Sequence, residues 1–214
     1  MVSLSPIQRR QRLTFDYRIT QSIHSPLVKI TAFRSAADLQ GKRLAITSVE
    51  EGGKATHYLL DCRIKSLVGR GKHHDRFAIS VDLLAGGNYP FTKPVSDVIS
   101  EPRPWSPHFT KGAPICVGEF WEQQKGHATL GHLIIHLLKL LNFDEPPREQ
   151  SYGGYNADAA AYWRDVLHHQ PITPRLKYPV ISRKNLEPDE ETASKAAFRA
   201  LTKSPPSGLF KPAM

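Results

Sequence analysis

The sequence predicts an α+β fold: an N-terminal helix, an antiparallel meander of four to five strands, a long flap of coil carrying a cysteine, a central helix and a C-terminal helix. Three observations carry this expectation. The runs 58–68 and 77–83 alternate apolar and polar side chains with the period of a half-buried strand, and a turn-rich segment joins them. Leu130, Leu133, Ile134, Leu137, Leu138 and Leu141 recur at helical spacing and form the clearest helix in the chain. Before that helix, Pro102, Pro104 and Pro107 disfavour regular structure through the approach to Cys116.

The elements follow in order. Ser5-Pro6 reads as a helix start, a hydroxyl cap followed by proline in the first turn, and Ile7, Leu13 and Tyr17 give a modestly amphipathic helix to about Thr20. Residues 27–33 and 43–49 read as short strands, the second closed by the turn signal Glu51-Gly52-Gly53. In 58–68, Tyr58, Leu60, Cys62, Ile64 and Val68 occupy the buried phase and Asp61, Arg63 and Lys65 the other. Cys62 is therefore expected as a small core filler. Phe77, Ile79, Val81 and Leu83 provide the hairpin partner. Pro90 and Pro94 then hold the chain extended, and 95–101 supplies an edge strand. Thr129 caps the central helix, which ends at Asn142-Phe143, and a further helix is expected from Asn156 or Asp158 to His169. The main domain is placed at residues 1–170. From Pro171 to Met214 the composition becomes that of a proline-rich tail, either a docking segment or a disordered one, with one short helix at 189–203.

Composition narrows the function. Two cysteines with no basic leader running into an apolar stretch argue against a secreted disulfide scaffold and for a reducing, cytoplasmic setting. The longest apolar run, 133–141, is broken by His136 and Lys139, short of the roughly 20 residues of a membrane span, so no membrane partner is expected. The net charge of +9 invites a nucleic-acid reading, but the basic residues are scattered and no helix carries a basic face interleaved with aromatics. No specific nucleic-acid partner is expected, and the charge reads as solubility or docking of acidic proteins.

The remaining question is the chemistry of Cys116. A zinc site lacks further soft ligands, and His132 and His136 lack the intervening glutamate of the metalloprotease pattern, so they read as polar positions on the rim of the apolar helix. A papain-like thiol would stand at a helix N-terminus, whereas here Val117-Gly118 follows and the helix begins later. The stretch "SLVGRGKHH" lacks the first glycine of a phosphate-binding loop and the hydroxyl after Lys72, and reads as a basic turn. No cofactor and no metal is expected.

The ordered set of "YPFTKP", a proline-bounded flap, Ser106-Pro107-His108, "ICV", an apolar helix and "NFDEP" resembles the ubiquitin-conjugating enzyme family. That family carries a Tyr-Pro-Phe-x-x-Pro element, a His-Pro-Asn tripeptide eight residues ahead of its cysteine, and an acidic pair before a proline. Here His108 precedes Cys116 by the same eight residues. Ser106, His108 and Val117 depart from the family's usual residues, and in this the chain looks like divergent bacterial members encoded in antiphage conjugation operons. The resemblance implies a transferase in which Cys116 accepts a ubiquitin-like modifier as a thioester from an activating enzyme and passes it to a lysine of a target protein. It further implies that His108 either donates a hydrogen bond to the reacting carbonyl or braces the flap, and that Asp144 and Glu145 orient and deprotonate the incoming amine or are simply solvated. Arg9, Arg10 and Arg12 on the first helix would dock the activating enzyme or form a solvated basic face. The alternative function is a noncatalytic scaffold of the same fold that binds a modifier or partner.

Overall fold

The computed structural model describes residues 4–41, 44–124, 127–144 and 156–181. Helix α1 (Pro6–Ser22) starts as expected: the Ser5 hydroxyl accepts from the Gln8 amide, and the Gln8 side chain accepts in return from the Ser5 amide. Its buried face is the expected one at Leu13 and Tyr17 but not at Ile7. Ile7 is exposed, and the inward stripe is Leu13, Asp16, Tyr17, Ile19 and Thr20.

A four-stranded antiparallel sheet follows, built from β1 (Val28–Phe33), β2 (His57–Cys62), β5 (Phe77–Asp82) and β6 (Val95–Val98) in the spatial order β1-β2-β5-β6. Each strand pairs with the next sheet strand along the chain, so the sheet is a meander. Tyr58, Leu60, Cys62, Phe77, Ile79 and Val81 are all inaccessible, as the period-two pattern requires.

Two strand expectations are corrected. The run 58–68 is not one strand. Cys62 pairs with Val28 at the start of β1 and with Phe77 at the start of β5, so both ladders stop there, and beyond Cys62 one more bond, from the Arg63 amide to the Leu27 carbonyl at 2.7 Å, is the last tie to β1's side. The chain then leaves the sheet and forms a separate hairpin, β3 (Ser66–Gly69) with β4 (Lys72–His74), turning at Arg70-Gly71. There the phase shifts: Leu67, not Val68, is buried, and it packs with Phe143 and Trp163 in a second apolar cluster. The second expected strand, 43–49, is reduced among the described residues to one bridge between Ile46 and Ala32. Leu44 sits in the left-handed region at φ 52°, which interrupts an extended chain, and a six-residue helix α2 (Ala36–Gly41) occupies the connection instead.

Helix α4 (Leu130–Leu141) is the central helix, and Leu130, Leu133, Ile134, Leu137, Leu138 and Leu141 are fully enclosed in the main core. At about 1.5–3 kcal/mol for each such side chain removed from water, this face is a dominant source of stability. Thr129 caps it, with His132 in the reciprocal position: its Nδ1 lies 3.3 Å from the Thr129 amide. Gly131 lets α1 approach closely, since a Cβ there would lie 2.5 Å from Ile19 Cγ2. The short helix α3 (Phe120–Gln123) precedes α4, and α5 (Ala157–Asp165), capped by Asn156, follows it.

A polar staple ties α1 to α4. Asp16 is inaccessible, and its carboxylate accepts from Arg12 Nε at 2.6 Å, from the Tyr89 hydroxyl at 2.5 Å and from the Leu130 amide at 2.9 Å. Arg12 also donates to the Ala128 carbonyl. Burial works against the guanidinium charge, but the attraction of Asp16 and Tyr89 outweighs it and Arg12 is held more firmly protonated than usual. Burial and Asp16 together push the Tyr89 hydroxyl well above its ordinary range.

The compact part of the chain continues past residue 170 among the described residues, as far as Ile181. Asn142, at the end of α4, accounts for this. Its carbonyl accepts from the Ile172 amide, its side chain exchanges two hydrogen bonds with the Thr173 backbone, and its Nδ2 donates to the Tyr178 hydroxyl. Leu176 and Tyr178 pack against the main core. The expected helix at 189–203 and the rest of the expected tail beyond residue 181 lie outside the described residues.

Candidate active site

The approach to Cys116 is a coil fixed at several points. The Trp105 amide donates to the Leu67 carbonyl at 2.6 Å, joining the coil to the β3–β4 hairpin. Ser106 is inaccessible, and its hydroxyl lies 3.5 Å from the Leu140 carbonyl on α4. At the far end the Ile115 amide donates to the Ser96 carbonyl on β6 at 2.7 Å.

Between these anchors the eight-residue spacing closes on itself. The Cys116 amide donates to the His108 carbonyl at 3.0 Å, and His108 Nδ1 lies 3.0 Å from the Cys116 carbonyl oxygen. A carbonyl only accepts, so Nδ1 carries the proton. The other ring nitrogen, Nε2, is shielded from solvent. His108 is thus placed to brace the loop by its ring, the second of the two roles considered for it.

Cys116 itself is partly exposed, between the buried side chains of Ile115 and Val117. The chain then turns at Gly118, in the left-handed region at φ 60°, and enters α3. The Trp121 indole donates to the Pro90 carbonyl at 2.9 Å and packs beside Tyr89, which ties this turn to the Tyr-Pro-Phe segment and through Tyr89 to Asp16.

His136 was missed by sequence reading. It is buried rather than on the polar rim, stacks flat on Phe120 at 4.4 Å, and places Nε2 3.1 Å from the Val117 carbonyl. The available signal was its position three residues after Leu133 on the apolar stripe.

Asp144 is exposed just past α4, its amide bonded to the Lys139 carbonyl at 2.9 Å. Its carboxylate makes no hydrogen bond or ion pair among the described residues. Glu145 lies outside them. Arg10 is exposed on α1, but Arg12 is withdrawn from the set expected to face a partner because it turns inward onto Asp16.

Cys62 contrasts with Cys116. It is inaccessible, and burial, with a smaller contribution from Asp61, pushes its thiol far above the ordinary range. Iodoacetamide is expected to label Cys116 and spare Cys62 in the folded protein, and to label both in urea, as read by peptide mass. Comparable native labelling of the two would contradict this placement.

Two surface hollows lie away from Cys116. One of about 380 Å³ is lined by Leu4, Arg9, Arg10 and Lys54 among others, and one of about 330 Å³ by Leu39, His57, Asp82 and Ile99 among others. Neither includes Cys116. Among the described residues no group of three or more His, Cys, Asp or Glu side chains could hold a metal, and no helix is long and apolar enough to cross a membrane. No family model matches the chain, and no curated protein matches it.

Proposed function

We propose that the chain is a conjugating transferase with the architecture of the ubiquitin-conjugating family, in which Cys116 carries a ubiquitin-like modifier as a thioester. The activating enzyme delivers the modifier's C-terminal acyl group to Cys116 Sγ, and an amine of a target protein then takes it. The bacterial antiphage setting and the cytoplasmic location belong to the same proposal.

The observation that supports this reading most is the closed loop from His108 to Cys116. It holds a partly exposed thiol between two buried neighbours, on a coil anchored to the sheet and to α4. Thioester exchange with a macromolecular donor needs a sulfur reachable from outside. The order of helix, antiparallel meander, cysteine coil and apolar helix is the order the resemblance implies. Asp144, exposed beyond α4, supplies a carboxylate for orienting the incoming amine. Docking of the activating enzyme falls to Arg9 and Arg10 of α1, without Arg12.

The test combines the protein with the modifier, its activating enzyme and ATP. The expected product is an adduct that reducing agent removes and that free lysine discharges. A protein that binds the modifier without forming the adduct would be the scaffold instead.

A further inference from the structure

The two peptide groups that follow Cys116 are each held by an imidazole. His108 Nδ1 is 3.0 Å from the Cys116 carbonyl oxygen and His136 Nε2 is 3.1 Å from that of Val117. Both nitrogens must be protonated, because the carbonyls can only accept. In a trans peptide the N–H is directed opposite to the C=O. The Val117 amide therefore faces away from the His108 ring, and the Gly118 amide away from His136.

His136 belongs to the buried face of α4, so the amide opposite it is directed outward. Gly118 is exposed, with nothing within 4 Å of where its Cβ would be. Among the described residues neither the Val117 nor the Gly118 amide donates to another group. The Phe120 amide donates to the Val117 carbonyl at 3.4 Å and closes a turn over Gly118, and successive backbone amides in a turn form an anion-binding concavity.

We propose that His136 is a positioning residue for acyl transfer at Cys116, and that together with His108 it presents the Val117 and Gly118 amides to the oxygen of the acyl carbonyl. The inference rests on the acyl-transfer reading of Cys116. The amine nitrogen attacks the carbonyl carbon and the C=O electron pair moves to oxygen, where the two amides meet the developing charge. On collapse the carbon–sulfur bond breaks, its electron pair returns to Sγ, and the proton lost by nitrogen leaves a neutral amide and the free Cys116 thiol. Donors fixed in advance at the developing oxyanion lower the barrier without reorganisation.

The test needs no modifier. The full chain is acetylated at Cys116 with p-nitrophenyl acetate, excess reagent is removed, and loss of the acetyl group to hydroxylamine is followed by intact mass, with Cys116→Ala as the blank. His136→Leu, which keeps bulk against Phe120 but offers no donor, is expected to slow this release about tenfold or more. His136→Gln, whose side-chain amide can donate to the same carbonyl, is expected to restore most of the rate. Alkylation of free Cys116 by iodoacetamide, which passes through no oxyanion, is expected to stay within about twofold of wild type in both variants. Release at the wild-type rate in His136→Leu would overturn the proposal, and so would alkylation falling in parallel with release. Should the leucine variant fail to fold, His136→Ala makes the same comparison. Absence of a modifier adduct alongside His136-dependent acetyl release would sink the conjugating function and leave this inference standing.

Discussion

Cys116→Ala is expected to abolish the reducible adduct, and Cys116→Ser to replace it with one that survives reducing agent. The argument is chemical. Alanine removes the accessible sulfur that forms the thioester, while serine substitutes an oxyester whose alkoxide is a poorer leaving group, so the acyl group loads slowly and departs more slowly still. The fold should tolerate both changes, because the Cys116 backbone carries the loop's hydrogen bonds and the side chain is partly exposed. Equal thermal stability of the three proteins, measured by circular dichroism, would confirm that the loss is chemical. An adduct of full yield in the alanine variant would remove Cys116 from the mechanism.

The largest effect on stability is expected at Asp16. Asp16→Ala leaves the Arg12 guanidinium largely buried without its carboxylate and deprives the Tyr89 hydroxyl and the Leu130 amide of their acceptor. Removing one member of a buried ion pair typically costs about 3–5 kcal/mol, a large share of the ~5–15 kcal/mol that stabilises a whole domain. The double variant Asp16→Ala with Arg12→Met should recover part of that loss, since it removes the stranded charge as well. Urea unfolding reads both. A loss below about 1 kcal/mol for the single variant would mean that solvent reaches Arg12 and that the staple between α1 and α4 is dispensable.

What could be read from the sequence divides along physical lines. The stripe of α4 and the alternation in β2 and β5 were legible because burial there depends on period alone. Where β2 stops was not, because it is set by the neighbouring strands ending at Val28 and Phe77 rather than by anything in residues 63–68. Arg12 and Asp16 stand four apart on a helix, a spacing usually found on solvated faces, and nothing local marks this pair as buried. Asn142 looked like a helix end, which it is, but its hold on residues 172–178 depends on long-range geometry.

The candidate site divides in the same way. The separation of His108 from Cys116 was visible through the resemblance, and it closes as a hydrogen-bonded loop. His136 reaches the Val117 carbonyl from α4, nineteen residues on, and only the packing of Phe120 against it reveals the contact.

Peptide mapping of the adduct tests the central claim most directly. After incubation with modifier, activating enzyme and ATP, digestion without reductant is expected to place the modifier's C-terminal remnant on the peptide containing Cys116, and reduction should release it. A remnant found only on lysine or on Cys62, or no remnant at all under conditions where the activating enzyme is itself charged, would contradict the account.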